Sequence, residues 1–269
     1  MMNQMKKWAL NLCLIGTILV SIMFVGSVQA KAAIVPEHEI KFNIKSELFT
    51  ETDILNIFQA TKKDEVKVYF FDTPQRAFLN EDYIQRLRVY KGSNKMDITY
   101  KKRFLNTPLD EAIAITESHG FTGAESNYKF EMDSKGGNRT FTISRKESLK
   151  TTSKMSYDAV DTNAAKKLIF ENAPKKILNW DSEEWYQNTL SQAVICGPAK
   201  ATTYKGSFAG YAADIEVWQY QGEMMVELST KEEDALKAAV IEKEWHDQLE
   251  SAGYLSDDQR GKTAFVMDM

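Results

Sequence analysis

The sequence predicts an α+β fold, in which strands of alternating character form a sheet and helices fall between them. Three observations lead there. Eight segments are rich in β-branched and aromatic residues and bounded by turn residues. Helix start signals stand between several of them. The order is mixed, with hairpin-type neighbours, instead of a regular strand–helix–strand alternation.

In chain order, strands are expected over 37–48, 66–71, 84–90, 97–104, 128–133, 139–145, 212–220 and 224–229. Gly136-Gly137-Asn138 reads as a hairpin turn between the fifth and sixth, and Gln221-Gly222 does the same between the last two. Helices are expected at 52–60 and 163–171, the second stopped by Pro174. Thr107-Pro108 places a cap before a proline at the first helical position, with Gly120 ending that segment. Thr73-Pro74 opens a shorter turn, and Thr230 with Glu233 makes a capping box before a helix reaching Leu249.

Residues 1–30 have the order of a signal peptide. Lys6 and Lys7 are followed by an apolar run from Trp8 to Val25, then by the small-residue exit Val28-Gln29-Ala30. The run reaches the lower limit for spanning a membrane, but Asn11, Gly16, Thr17 and Ser21 interrupt it. Cleavage near Ala30 would leave residues 31–269 as one domain, secreted or periplasmic and free of the membrane. It would move the net charge from −4 to −6, a mildly acidic balance that does not suggest a nucleic-acid partner. Cys13 would leave with the peptide, so Cys196 could form no internal disulfide and reads as a small buried residue.

The strands carry charge on one face, because residues two apart point the same way. Glu37, Glu39 and Lys41 oppose Ile40, Phe42 and Ile44; Arg86 and Arg88 oppose Leu87 and Val89; Thr99, Lys101 and Arg103 oppose Ile98 and Tyr100. Near the end Asp214 and Glu216 oppose Ile215 and Val217, and Glu227 opposes Val226 and Leu228. An ordinary sheet with one wet face accounts for each strand taken singly. The charges come as same-sign pairs, however, and helices are available to cover an apolar outer surface. A sheet closed into a barrel would turn these charges inward. There, arginine and lysine suit phosphate oxygens, and clustered carboxylates suit Mg²⁺ or Mn²⁺ between them and a phosphate.

Glu37-His38-Glu39-Ile40-Lys41 resembles the ExExK signature of the CYTH, or triphosphate tunnel metalloenzyme, family. Tyr69-Phe70-Phe71-Asp72-Thr73-Pro74, Ile84-Gln85-Arg86-Leu87-Arg88, Ile98-Thr99-Tyr100-Lys101 and Val226-Glu227-Leu228-Ser229 are similar to further family segments, in family order. The resemblance covers 37–249. It implies an eight-stranded antiparallel tunnel with helices outside, a divalent metal held by glutamates, and a triphosphate or polyphosphate held by basic residues.

By this resemblance Glu37, Glu39, Asp214, Glu216 and Glu227 are metal ligands, with Mg²⁺ or Mn²⁺ as the cofactor. Lys41, Arg86, Arg88 and Lys101 grip phosphate, and Glu39 and Lys41 stand at the catalytic centre. Lys200 and Arg145 compete for the remaining basic position. The implied activity is exported hydrolysis of a small triphosphate or polyphosphate, with a non-catalytic phosphate-binding protein as the alternative. Export weighs against an RNA-capping triphosphatase or a cytosolic cyclase. Three departures stand out: Ser229 replaces a second glutamate, Thr202 stands where an arginine is expected, and 106–193 matches no family segment and reads as an insertion. His38, His119, His246, Trp180, Trp185 and Trp218 read as structural residues.

Overall fold

Nine strands close into a barrel in the computed structural model, which describes residues 33–268. The strands are β1 (Glu37–Ile44), β2 (Thr61–Asp72), β3 (Tyr83–Tyr90), β4 (Lys95–Phe104), β5 (Lys129–Lys135), β6 (Asn138–Lys150), β7 (Val194–Phe208), β8 (Tyr211–Tyr220) and β9 (Glu223–Glu232). Around the ring they run β1-β5-β6-β4-β3-β2-β7-β8-β9 and back to β1. From Ile34 onward the chain forms one compact unit. The apolar segment read as a signal peptide lies outside the described residues. Among the described residues, no helix is long and apolar enough to cross a membrane.

The expected eight-stranded antiparallel tunnel is corrected to nine strands, eight neighbour contacts being antiparallel and one, β1 with β5, parallel. Parity supplies the reason: an odd number of strands cannot alternate direction around a closed ring, so one neighbouring pair must run parallel. The strand that none of the eight expected segments covers is β7. The expected insertion contributes the β5–β6 hairpin to the wall between β1 and β4. Gly136 and Gly137 both have positive φ, which a two-residue hairpin turn requires at these positions.

Among the described residues, every helix but the last packs on the outer surface. The helices are α1 (Glu51–Ile57), α2 (Ala77–Asn80), α3 (Leu109–Ser118), α4 (Thr162–Glu171), α5 (Lys175–Leu178), α6 (Glu183–Gln192), α7 (Ala235–Ser251) and α8 (Lys262–Met267). Helix α7 starts later than expected: β9 continues through Thr230 to Glu232, and Asp234 caps the helix by accepting from the Leu236 and Lys237 amides. The capping box expected from Thr230 and Glu233 therefore does not form. The Asp72-Thr73-Pro74 motif is structural, because the buried Asp72 carboxylate accepts from the amides of Thr73, Phe78 and Leu79 and pins α2 to the end of β2.

Two apolar clusters lie outside the barrel. One joins Leu87, Ile98, Tyr100 and Ile143 to α3–α6 through Ala112, Phe121, Ile169 and Tyr186. The other joins Ile40, Phe42, Ile215 and Leu228 to α7 through Ile241 and Trp245. A third cluster lies on the inner face, where Val66, Val68, Phe70, Ala199, Ala201, Trp218 and Met225 pack against Phe265, Val266 and Met267 of α8. The last helix thus fills the part of the lumen bounded by β2, β7 and β8.

Candidate functional site

Strand alternation and ladder register put the charged residues on the inner face. Phe70 pairs with Arg86 and Val68 with Arg88, so the two arginines share a face with the inner apolar cluster. Arg88 reaches across the lumen to Glu216 on β8 at 3.1 Å. Lys101 on β4 reaches Asp133 on β5 at 3.0 Å, and Lys135 on β5 pairs with Glu227 on β9.

The parallel β1–β5 pair is the most ordered part of this lining. Its register sets Glu37 beside Glu131, Glu39 beside Asp133 and Lys41 beside Lys135. Two strands of the same acid-x-acid-x-lysine spacing therefore lie side by side. The sequence reading missed Glu131, Asp133 and Lys135. Their signal was legible, since Glu131-Met132-Asp133-Ser134-Lys135 repeats the spacing of the first motif.

Side-chain oxygens of Glu39, Glu131 and Asp133 lie within 4.8 Å of one another. Three lysines compensate them. Lys41 stands 2.6 Å from Glu39 and 3.1 Å from Asp133, while Lys231 holds Glu131 and lies 2.9 Å from Glu37. Burial raises the pKa of Glu39 and would also lower that of Lys41, but the Asp133 and Glu39 carboxylates outweigh burial and hold Lys41 up. Against the same cost of burial, Lys101 and Lys41 keep Asp133 well below the usual carboxylate range.

A second acidic pair sits on β8 and β9. Glu216 and Glu227 face each other in the ladder, and both are held by Lys262 of α8, at 2.8 and 2.7 Å. With Arg88 added, these contacts lower the Glu216 carboxyl to about 2 in spite of burial. Lys135 and Lys262 likewise hold Glu227 far down.

Arg86 differs from every other basic group in the lining. Among the described residues it makes no ion pair: its guanidinium donates to the Thr99 hydroxyl at 3.4 Å, and its Nε has no partner. Burial, and then the neighbouring Arg88, draw its pKa down to about 10. Glu216 and Glu39 act on it only from a distance, so no carboxylate in contact offsets its burial.

The remaining expected residues take other places. Glu37 lies beside Lys231, apart from the closest carboxylate group. Asp214 pairs with Lys205, and its side chain is 38% exposed. Arg145 and Lys200 do not face the lumen. Arg145 pairs with Tyr100 in the ladder and lies against Tyr128, both residues of an outer cluster. Lys200 lies opposite Lys67, while its neighbours Ala199 and Ala201 take the inner positions. His119 stacks on Trp180 at 3.9 Å, outside the barrel. Trp218 lines the lumen and donates from Nε1 to Glu216 at 2.9 Å.

No protein-family model matches the chain, and no curated protein matches it in sequence. Solved structures resemble it in fold. One from Bacillus halodurans, described as a "putative adenylate cyclase", superposes with a TM-score of 0.51 at 12% identity, over 86% of this chain and 97% of that one. The two share a fold. A "putative adenylyl cyclase" from Hippeastrum, described as having a dominant triphosphatase activity, superposes at 0.46 with 12% identity, over 84% of this chain and 92% of that one.

Proposed function

We propose that this chain is an exported, divalent-metal-dependent phosphohydrolase that takes inorganic tri- or polyphosphate, or an organic triphosphate, into its charged lumen. The observation that carries the reading is Arg86, a buried guanidinium on the inner face that makes no ion pair among the described residues. Phosphate oxygens are the ligand an arginine fork fits best.

The donor chemistry of Glu39, Glu131 and Asp133 fits Mg²⁺ or Mn²⁺: three carboxylates converge, and such ions take oxygen ligands. When bound, the ion would neutralise phosphate charge and orient a water. The chain's own residues supply the rest. Lys41 and Lys101, now held by Glu39 and Asp133, would be released to phosphate oxygens once those carboxylates are otherwise compensated. Arg86 would bind in the same step, and charge building on the leaving phosphate would meet these fixed cations.

One observation favours the alternative, a phosphate-binding protein without turnover: the Glu216–Glu227 pair is already saturated by Lys262, Lys135 and Arg88. Phosphate release from tripolyphosphate, followed with Mg²⁺, with Mn²⁺ and with chelator, separates the two. Binding by calorimetry without release would select the alternative.

A further inference from the structure

The Glu216–Glu227 pair corresponds to the glutamates that the sequence resemblance assigns to metal, yet its surroundings do not fit a metal ion. Lys262 Nζ sits between the two carboxylates, 2.8 Å from Glu216 and 2.7 Å from Glu227. Lys135 covers Glu227 from β5, and Arg88 and the Trp218 indole cover Glu216. Each carboxylate of the pair thus meets at least two cations or donors.

The position of Lys262 is built by the chain before it. Ser256 donates from its amide to the Asn43 carbonyl at 3.0 Å. The Asn43 side-chain amide donates to the Asp258 and Arg260 carbonyls, each at 2.9 Å. Gln259 accepts from the Asn43 amide and donates to its carbonyl, both at 2.9 Å. This strap fixes the chain at the end of β1. Past Lys262, Phe265, Val266 and Met267 anchor the helix on Ala199, Ala201 and Trp218. The alanines on β7 stand where long basic residues would collide with the helix, so the small side chains and the inserted helix form one arrangement.

We infer that Lys262 is the resident cation of the Glu216–Glu227 pair and excludes a divalent ion from it. The proposed function enters only through the ion that it assigns to Glu39, Glu131 and Asp133. Ion binding at Glu216 is read separately.

The test is Mn²⁺ titration by electron paramagnetic resonance, counting ions bound to the protein, to Glu216→Gln, to Lys262→Ala and to the double variant, with circular dichroism confirming folding. Glu216→Gln is expected to leave the count unchanged and the affinity within about twofold. Lys262→Ala is expected to bind one more ion than the parent, and adding Glu216→Gln is expected to remove it. A tenfold loss of Mn²⁺ affinity in Glu216→Gln would overturn the inference, as would a folded Lys262→Ala with no added ion. Should Lys262→Ala not fold, Glu216→Gln in the parent still decides. Should the parent bind no Mn²⁺, the metal part of the proposed function fails, while the gain in Lys262→Ala still reports on Lys262.

Discussion

Arg88 on β3 and Glu216 on β8 meet across the lumen at 3.1 Å, with β2 and β7 between their strands in the wall. The bond ties opposite sides of the barrel together. It also ties Arg88 to an internal partner, unlike Arg86 two residues earlier on the same strand. Two arginines of one motif therefore have different duties, and three of the predictions below follow from that difference and from the acids around them.

Arg88→Gln should destabilise the fold by about 2 kcal/mol, because it removes a charged hydrogen bond and leaves Glu216 to Lys262 and the Trp218 indole. Urea unfolding at neutral pH measures this. A change below about 0.5 kcal/mol would show that the cross-lumen bond contributes little.

Arg86→Met should act in the opposite direction. Removing a buried cation that no carboxylate contacts should stabilise the ligand-free fold by on the order of 2 kcal/mol. The same change should abolish the rise in Tm that tripolyphosphate gives the parent. Thermal scans with and without tripolyphosphate test both halves, and loss of ligand-free stability would count against an anion-binding role.

Acid should unfold the protein through its depressed carboxylates. Glu216 has a folded pKa of about 2 against 4.5 in the ordinary state, so its contribution is complete above about 4.5 and is lost as pH falls towards 2. That single group accounts for about 3 kcal/mol. Glu227 and Asp133, also held down, act in the same direction. Glu39, held up by burial, acts in the other and offsets part of the loss. Urea midpoints at pH 7, 4 and 3 should fall steeply below pH 4.5, and a flat profile would contradict the ion-pair assignments.

Phe265→Ala should cost about 3–5 kcal/mol, as deletion of a fully buried ring does, if α8 is part of the core. Differential scanning calorimetry reads this directly. A loss under 1 kcal/mol would show that the last helix docks weakly.

Much of the inner lining was legible because charge alternation has the period of a strand. Glu39, Lys41, Arg86, Arg88, Lys101, Glu216 and Glu227 all meet other lining groups in the lumen. The β1 and β5 motifs have one spacing, but Glu131 and Asp133 were passed over as members of an inserted hairpin. Strand β7 was harder to read. Its inner positions include Ala199 and Ala201, which carry no amphipathic signal, and the conspicuous Lys200 lies on the other face. Arg145, the other candidate for that basic position, likewise pairs with Tyr100 on the outer face. Lys262 could not be assigned from sequence, because its contacts with Glu216 and Glu227 depend on a strap that closes against Asn43 more than two hundred residues away.

The most direct test of the central claim is phosphate release from tripolyphosphate by residues 31–269, with Mg²⁺, with Mn²⁺ and with chelator, alongside Glu39→Gln. Release that requires the metal and is lost in Glu39→Gln, with the variant still folded, is the predicted result. No release with either metal, or release that survives both chelator and Glu39→Gln, would contradict it.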